Sequence, residues 1–192
     1  MVPPVDPTTR LALDAAAGDR WAREAFVRAS YRDVWQLCAA LVERESADDL
    51  AQESFERAVK ALPRFRGDAS ARTWLLSIAR RACMDELRVR SRRRRRDASR
   101  SALRLDDEPI APDPSQASAV GDLLSRLEPD RRAAFFLTQH LGLSYGEAAA
   151  VCECPTGTIR SRVARARADL IDLLDEHEPV DGAARQRGRP TA

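Results

Sequence analysis

Arg160, Arg162, Arg165 and Arg167 stand close together at the end of the stretch from Leu143 to Arg167. A guanidinium forks onto a guanine edge or grips a phosphate, so arginines on a narrow helix face could enter a DNA major groove. The surrounding residues supply such a helix. Ser144 can cap a first helix, and Glu147 three residues on completes a capping box. Ala148, Ala149 and Ala150 are small enough for a second helix to pack close. Cys154-Pro155 breaks the first helix, because a residue before proline is pushed out of the helical region. Thr156 or Thr158 is expected to cap the second. At about 100° per residue, Ile159, Val163, Ala166, Leu170 and Leu173 form its buried stripe. Ser161, Ala164, Arg165 and Ala168 lie opposite, with Arg160 and Arg162 at the shoulders. The pattern is that of a helix-turn-helix. A merely solvated arginine face is the alternative, and the agreement of helix, turn and cap argues against it.

A second constellation lies earlier. Phe65-Arg66-Gly67-Asp68-Ala69-Ser70 is a glycine-containing loop leading into a helix, with Trp74, Leu75, Ile78 and Ala82 facing inward. Arg81, Asp85 and Arg88 recur on one face of that helix. Unstacked bases need pockets and phosphates need arginine, so this pair of features could hold single-stranded DNA. The pattern equally fits a core Trp74 and a surface ion-pair ladder. A third set, Asp49, Gln52, Glu53, Glu56 and Arg57, shares the polar face of a helix whose other face carries Ala51, Phe55, Ala58, Val59 and Leu62. Ser46 is expected to cap it, ahead of the acidic first turn Asp48-Asp49.

Catalytic and metal chemistry find little support. Cys38, Cys83, Cys152 and Cys154 have no second pair at zinc spacing, and the histidines are His140 and His177. No glycine-rich nucleophile turn accompanies Cys83. No cofactor and no metal are expected. No signal peptide or long apolar run is present, which leads us to expect a cytoplasmic protein with reduced thiols and no membrane insertion.

These residues must be positioned by helices. The 192 residues carry a net charge of only +2, and Lys60 is the one lysine among 32 cationic residues. So uniform an arginine bias suggests a high-GC bacterial source rather than a function. No run alternates β-branched residues, so no sheet is expected. Helices are predicted over roughly 10–17, 20–43, 47–62 and 70–90, with Trp21, Phe26, Tyr31, Trp35, Phe55 and Trp74 as anchors of a first core. Residues 1–9 read as mobile. Residues 91–118 read as a flexible linker: Arg92–Arg96, then Asp106, Asp107 and Glu108, then three prolines, without apolar periodicity. Helical patterning returns over 119–175, where Leu123, Leu124, Leu127, Phe135, Phe136 and Leu137 are available for a second core. Residues 176–192 read as a disordered tail. The expected fold is all-α, with two small helical domains.

Two blocks then match one family in order. Ala47 to Phe55, Phe65 to Asp68 and Thr73 to Arg80 resemble region 2 of the extracytoplasmic-function sigma factors, the small members of the sigma-70 family. Gly142 to Arg167 resembles their region 4, with wording especially similar to the actinobacterial sigma-C type. The resemblance covers about residues 10–90 and 119–175. It implies a non-enzymatic factor that brings core RNA polymerase to promoters and helps melt them. Residue by residue, it implies that Asp49, Gln52, Glu53 and Arg57 bind the clamp of the polymerase β′ subunit. Phe65, Arg66, Gly67, Asp68, Ser70, Arg81, Asp85 and Arg88 would recognise and open the −10 element. Thr158, Arg160, Ser161, Ala164 and Arg165 would read the −35 element, in a domain that meets the β flap. An anti-sigma protein is a further candidate partner. Ala164 stands where members can carry a bulkier group, and Asp85 where some carry asparagine.

A linker over 91–118 reaches about 90 Å fully extended but averages only about 30 Å as a free coil. Promoter elements about 25 base pairs apart lie roughly 85 Å from each other. The free protein is therefore expected to be compact, with polymerase holding the linker stretched. Two rivals are an operator-binding regulator that works without polymerase, and a cysteine hydrolase using Cys83. Co-purification with core polymerase separates the first; a Cys83→Ser variant separates the second.

Overall fold

A computed structural model describes residues 5–101 and 119–176. Among the described residues all regular structure is helical: α1 (Pro7–Ala16), α2 (Arg20–Leu41), α3 (Ala47–Ala61), α4 (Ala71–Ser101), α5 (Ala119–Ser125), α6 (Pro129–Phe135), α7 (Tyr145–Cys152) and α8 (Thr156–Asp175). A 3-10 turn precedes α3, another follows it, and a π turn spans Phe136–His140 between α6 and α7.

The N-terminal half is built on α2, against which α1, α3 and α4 all pack. Phe26, Val34, Leu37 and Leu41 of α2 meet Leu50, Ala51 and Phe55 of α3 and Leu75, Leu76 and Ala79 of α4, all buried. The first helix starts earlier than its apolar pattern suggests. Asp6 caps it, its carboxylate accepting from the Thr9 N–H at 3.0 Å, and Pro7 needs no hydrogen-bond partner there. Thr9 is buried, and its hydroxyl oxygen accepts from the Ala71 N–H at the start of α4 at 2.8 Å.

Further expectations need correction. Ser46 does not cap α3; its hydroxyl accepts from Arg90 at 2.5 Å instead. Neither threonine caps α8, which begins after Pro155 without a side-chain cap. Trp21 and Tyr31 are not core anchors, being 66% and 46% exposed. The fourth helix does not end near residue 90 but runs through the arginine block to Ser101. Arg90 holds it there, reaching Glu43 and Glu86 at 2.7 Å each, and Arg94 extends toward Glu43 at 3.8 Å. A charged helix needs no apolar stripe when ion pairs across a turn fix one side, which is why periodicity missed it. The remainder of the expected linker, 102–118, and the tail from 177, with His177, lie outside the described residues.

The two halves share one continuous core instead of two. Leu137, Val151, Ile159 and Val163 join the cluster begun by α2 and α4. α6 packs on α2, and α7 packs on α4. Arg132 is buried in this joint, donating to the backbone carbonyls of Leu41, Ser125 and Leu127 at 3.1, 2.6 and 3.0 Å.

Candidate nucleic-acid interface

The C-terminal half contains the expected helix-turn-helix. Ser144 caps α7 in a reciprocal box: its Oγ accepts from the Glu147 N–H at 3.2 Å, and Glu147 accepts from the Ser144 N–H at 2.8 Å. Those bonds to Ser144 hold the Glu147 carboxyl below its ordinary pKa. The turn is made by Glu153 in the left-handed region at φ 54°, a conformation L-residues adopt rarely. α8 then buries Ile159, Val163 and Ala166 as the stripe requires, while Leu170 and Leu173 are only partly covered. Arg160, Ser161, Ala164 and Arg165 are exposed on the other side, and Thr158 is half-buried beside them. Ser161 donates to the Thr158 carbonyl at 2.9 Å. Arg162 is turned away from this face, pairing with Asp130 at 2.6 Å, and Arg167 donates to Gln139 at 2.8 Å. The open face is therefore narrow, composed of small side chains flanked by Arg160 and Arg165.

In the N-terminal half, Arg64 to Ala69 and Trp74 line a pocket of about 220 Å³ at the entrance to α4. Phe65 leans on Trp74 with ring centroids 5.0 Å apart, and Phe26 backs Trp74 at 6.5 Å. Gly67 sits at φ 78°, with Leu13 where a Cβ would point. Arg66 and Asp68 are exposed at the rim. Ser70 does not line the pocket; it immediately precedes α4, its Oγ donating to Thr73 Oγ1 at 2.8 Å and accepting from the Thr73 N–H at 3.1 Å. Trp74 was expected as core alone; half-buried, it is also a wall of the pocket. Its place one turn after the loop is the signal that could have suggested this.

Arg81, Asp85 and Arg88 share one exposed face of α4 without forming a continuous ladder. Arg88 pairs with Asp85 at 3.0 Å, and Asp85 also faces Arg57 of α3 at 3.9 Å. Arg81 pairs instead with Glu153 in the turn of the helix-turn-helix. The preceding residue, Arg80, lies about 100° round the helix and is buried; it pairs with Asp130, whose second oxygen holds Arg162. Arg72 bonds Asp33 at 2.6 Å and the Leu141 carbonyl at 2.8 Å. The helix-turn-helix domain thus reaches the exposed face of α4 at Arg81 and its buried flank at Arg80.

On α3, Asp49, Gln52, Glu53 and Arg57 are all exposed. Gln52 donates to Glu56 at 3.3 Å, and Arg57 pairs with Glu53 at 2.6 Å. The two acids of the first turn divide their work. Asp48 accepts from Trp35 Nε1 at 2.8 Å and from the Tyr31 hydroxyl at 3.4 Å, whereas Asp49 has no such partner among the described residues.

Residues 26–93 match the family described as Sigma-70 region 2, and residues 117–170 match Sigma-70, region 4. The chain is 50% identical over 174 residues to a probable RNA polymerase sigma-C factor of Mycobacterium bovis, covering 90% of this chain and 92% of that one. The chain belongs to the extracytoplasmic-function sigma factors of the sigma-70 family. It is also 32% identical to the RNA polymerase sigma-H factor of Pseudomonas aeruginosa, over 81% of this chain and 86% of that protein. Among solved structures it resembles CnrH, determined with the cytosolic domain of CnrY, at TM-score 0.68 and 26% identity, covering 90% of this chain and 99% of that one. It also resembles the Bartonella quintana sigma factor RpoE, determined with the anti-sigma factor NepR, at TM-score 0.60 and 28% identity, covering 79% and 96%. As a sigma factor, the protein works with core RNA polymerase on promoter DNA to start transcription. Among the described residues no helix is long and apolar enough to cross a membrane, and no group of His, Cys, Asp and Glu is placed to hold a metal ion.

Proposed function

We infer that the two functional halves divide as follows. Region 2, residues 10–90 with the helical continuation to Ser101, presents Asp49, Gln52, Glu53 and Arg57 to the β′ clamp. Its loop from Phe65 to Ser70, with Trp74, receives a base flipped from the −10 element, while Arg81, Asp85 and Arg88 face the opened strand. Region 4, over 119–175, enters the −35 major groove with Arg160, Ser161, Ala164 and Arg165, Thr158 lying at the edge, and meets the β flap. The observation that carries this reading is the register of α8. The stripe that buries Ile159, Val163 and Ala166 leaves a narrow face of small residues and two arginines pointing outward, unpaired among the described residues.

The protein acts without a catalytic group of its own. Cys83 is buried beside Cys38, and that neighbour together with burial pushes its thiol far above the ordinary range, so it is no nucleophile. Its place of action is the cytoplasm, where polymerase and chromosome are. A protein of the anti-sigma class, as bound to the Bartonella quintana relative, is a fitting partner here too.

The closed packing of the two halves has a mechanical consequence. Elements roughly 85 Å apart cannot both be read while α7 rests on α4. The domains must part, and core polymerase supplies the binding energy that separates them. Run-off transcription with core polymerase on a library of −10 and −35 variants tests the assignment. Transcription that depends on both elements supports it; core-independent binding to a single operator would replace it.

A further inference from the structure

The arginine extension of α4 has no part in the roles above, and the region 2 match stops at residue 93, inside it. Its side chains are sorted by face. Arg90 and Arg94 turn toward the α2–α3 connection, where Glu43 meets both and Ser46 meets Arg90, which also bonds Glu86 one turn earlier on α4. At about 100° per residue, Arg92 and Arg96 point to the other side, in the same arc as Arg81, Asp85 and Arg88. Both are exposed, and neither has an ion-pair partner among the described residues. Like charges at i and i+4 weaken a helix, so this pair is unfavourable until an anion lies across it. The stripe from Arg81 to Arg96 is about 22 Å long. Its middle already faces anions: Glu128 and Asp130 line a cleft of about 440 Å³ together with Arg88 and Arg92. Those carboxylates belong to region 4 and leave when the halves part.

The course of the chain says what replaces them. α4 begins at the −10 pocket and ends where the chain departs for region 4, which sits upstream at −35. The C-terminal end of α4 therefore points upstream, over duplex that is not melted. Resting on the assignment of α4 to the −10 element, we propose that Arg92 and Arg96 grip backbone phosphates of the duplex immediately upstream of −10. The contact carries no base information; it adds affinity and holds the edge of the bubble.

The test uses holoenzyme assembled from full-length protein and core polymerase. Promoter affinity is measured between 50 and 200 mM salt for the parent, for Arg92→Ala with Arg96→Ala, and for Arg92→Lys with Arg96→Lys. Two lost phosphate contacts should flatten the slope of log affinity against log salt by about 1.8, so the affinity gained over that fourfold dilution drops about tenfold. The lysine pair should keep the parent slope, because a phosphate accepts a point charge. A promoter with uncharged methylphosphonate linkages just upstream of −10 should weaken the parent but not the alanine pair. An unchanged slope, or equal losses on charged and uncharged backbones, would overturn the proposal. So would a fall in core affinity measured by competition, which would make polymerase the partner. Arg81→Ala separates this from the underlying assignment: it should impair opening of −10 whatever the alanine pair does, and if it does not, the assignment of α4 itself fails.

Discussion

The two surfaces proposed to read DNA are in opposite states. On α8 the outward face is ready: Arg160 and Arg165 are exposed and unpaired among the described residues, and the helix beneath is fixed by a buried stripe. On the exposed face of α4 the cations are engaged, Arg81 by Glu153 and Arg88 by Asp85. A groove-reading helix can be preformed, because duplex DNA presents its edges without rearrangement. A strand-holding face has no ligand until a duplex opens. Its arginines are uncompensated meanwhile; here Glu153 of the helix-turn-helix satisfies Arg81, and Asp85 of α4 itself satisfies Arg88. On the proposed assignment the −35 reader thus covers part of the −10 reader through Glu153 and Arg81, and the polar joint at Arg132 couples the two halves.

The largest effect should come from the joint itself. Arg132→Met removes three hydrogen bonds to backbone carbonyls, one of them across the two halves. Unsatisfied buried acceptors cost about 1–3 kcal/mol each, so a loss of about 3 kcal/mol is expected in denaturant unfolding. Limited proteolysis should cut the variant faster between the halves. Full stability with unchanged proteolysis would mean the joint is not held there.

Next is Arg165→Ala, which should weaken the use of −35 variants unequally, by about 1–3 kcal/mol at one base pair. Run-off transcription across −35 substitutions reads this directly. A uniform loss would reassign Arg165 to phosphate, and no loss would remove it from the interface.

Asp49→Arg should lower affinity for core polymerase about tenfold, or roughly 1.4 kcal/mol, in competition against a second sigma factor. Because Asp48, not Asp49, bonds Trp35 and Tyr31, the fold should survive. The reversal also costs about 0.3–1 kcal/mol at the helix terminus, so stability is measured alongside. Unchanged competition by a folded variant would detach α3 from the clamp.

The smallest effect belongs to the cap of α7. Ser144→Ala should cost about 1 kcal/mol at neutral pH. Bonds to Ser144 lower the pKa of Glu147 in the folded state, so the stability they bring is present above the ordinary carboxylate pKa. It is lost as pH falls through the lowered value. The gap between parent and variant should therefore close in acid; a gap constant with pH would show that the carboxylate plays no part.

What could be read from sequence was local. The capping box and the stripe of α8 need only spacing; the box stands as expected, and the stripe is buried at Ile159, Val163 and Ala166 but only partly covered at Leu170 and Leu173. The loop before α4 was recognisable, but the pocket wall supplied by Trp74 depends on Phe65 folding back across it. The arginine helix was hidden because its support comes from Glu43, 47 residues from Arg90. Trp21 and Tyr31 were misplaced for a similar reason: a large apolar ring predicts burial until the neighbouring elements are known. The joint was the least legible. Asp130 reads as an ordinary first-turn acid, and only the packing of α6 beside α4 makes it the bridge between Arg80 and Arg162.

The central claim is that free protein keeps its −10 face covered and polymerase uncovers it. Titrations with labelled −35 duplex, single-stranded −10 DNA and the intact promoter, with and without core polymerase at one salt concentration, test it most directly. Free protein should bind the −35 duplex weakly, the −10 strand hardly at all, and the intact promoter little better than the −35 duplex alone. Core polymerase should bring tight binding that requires both elements. Tight, specific binding of the intact duplex promoter by free protein would contradict the account.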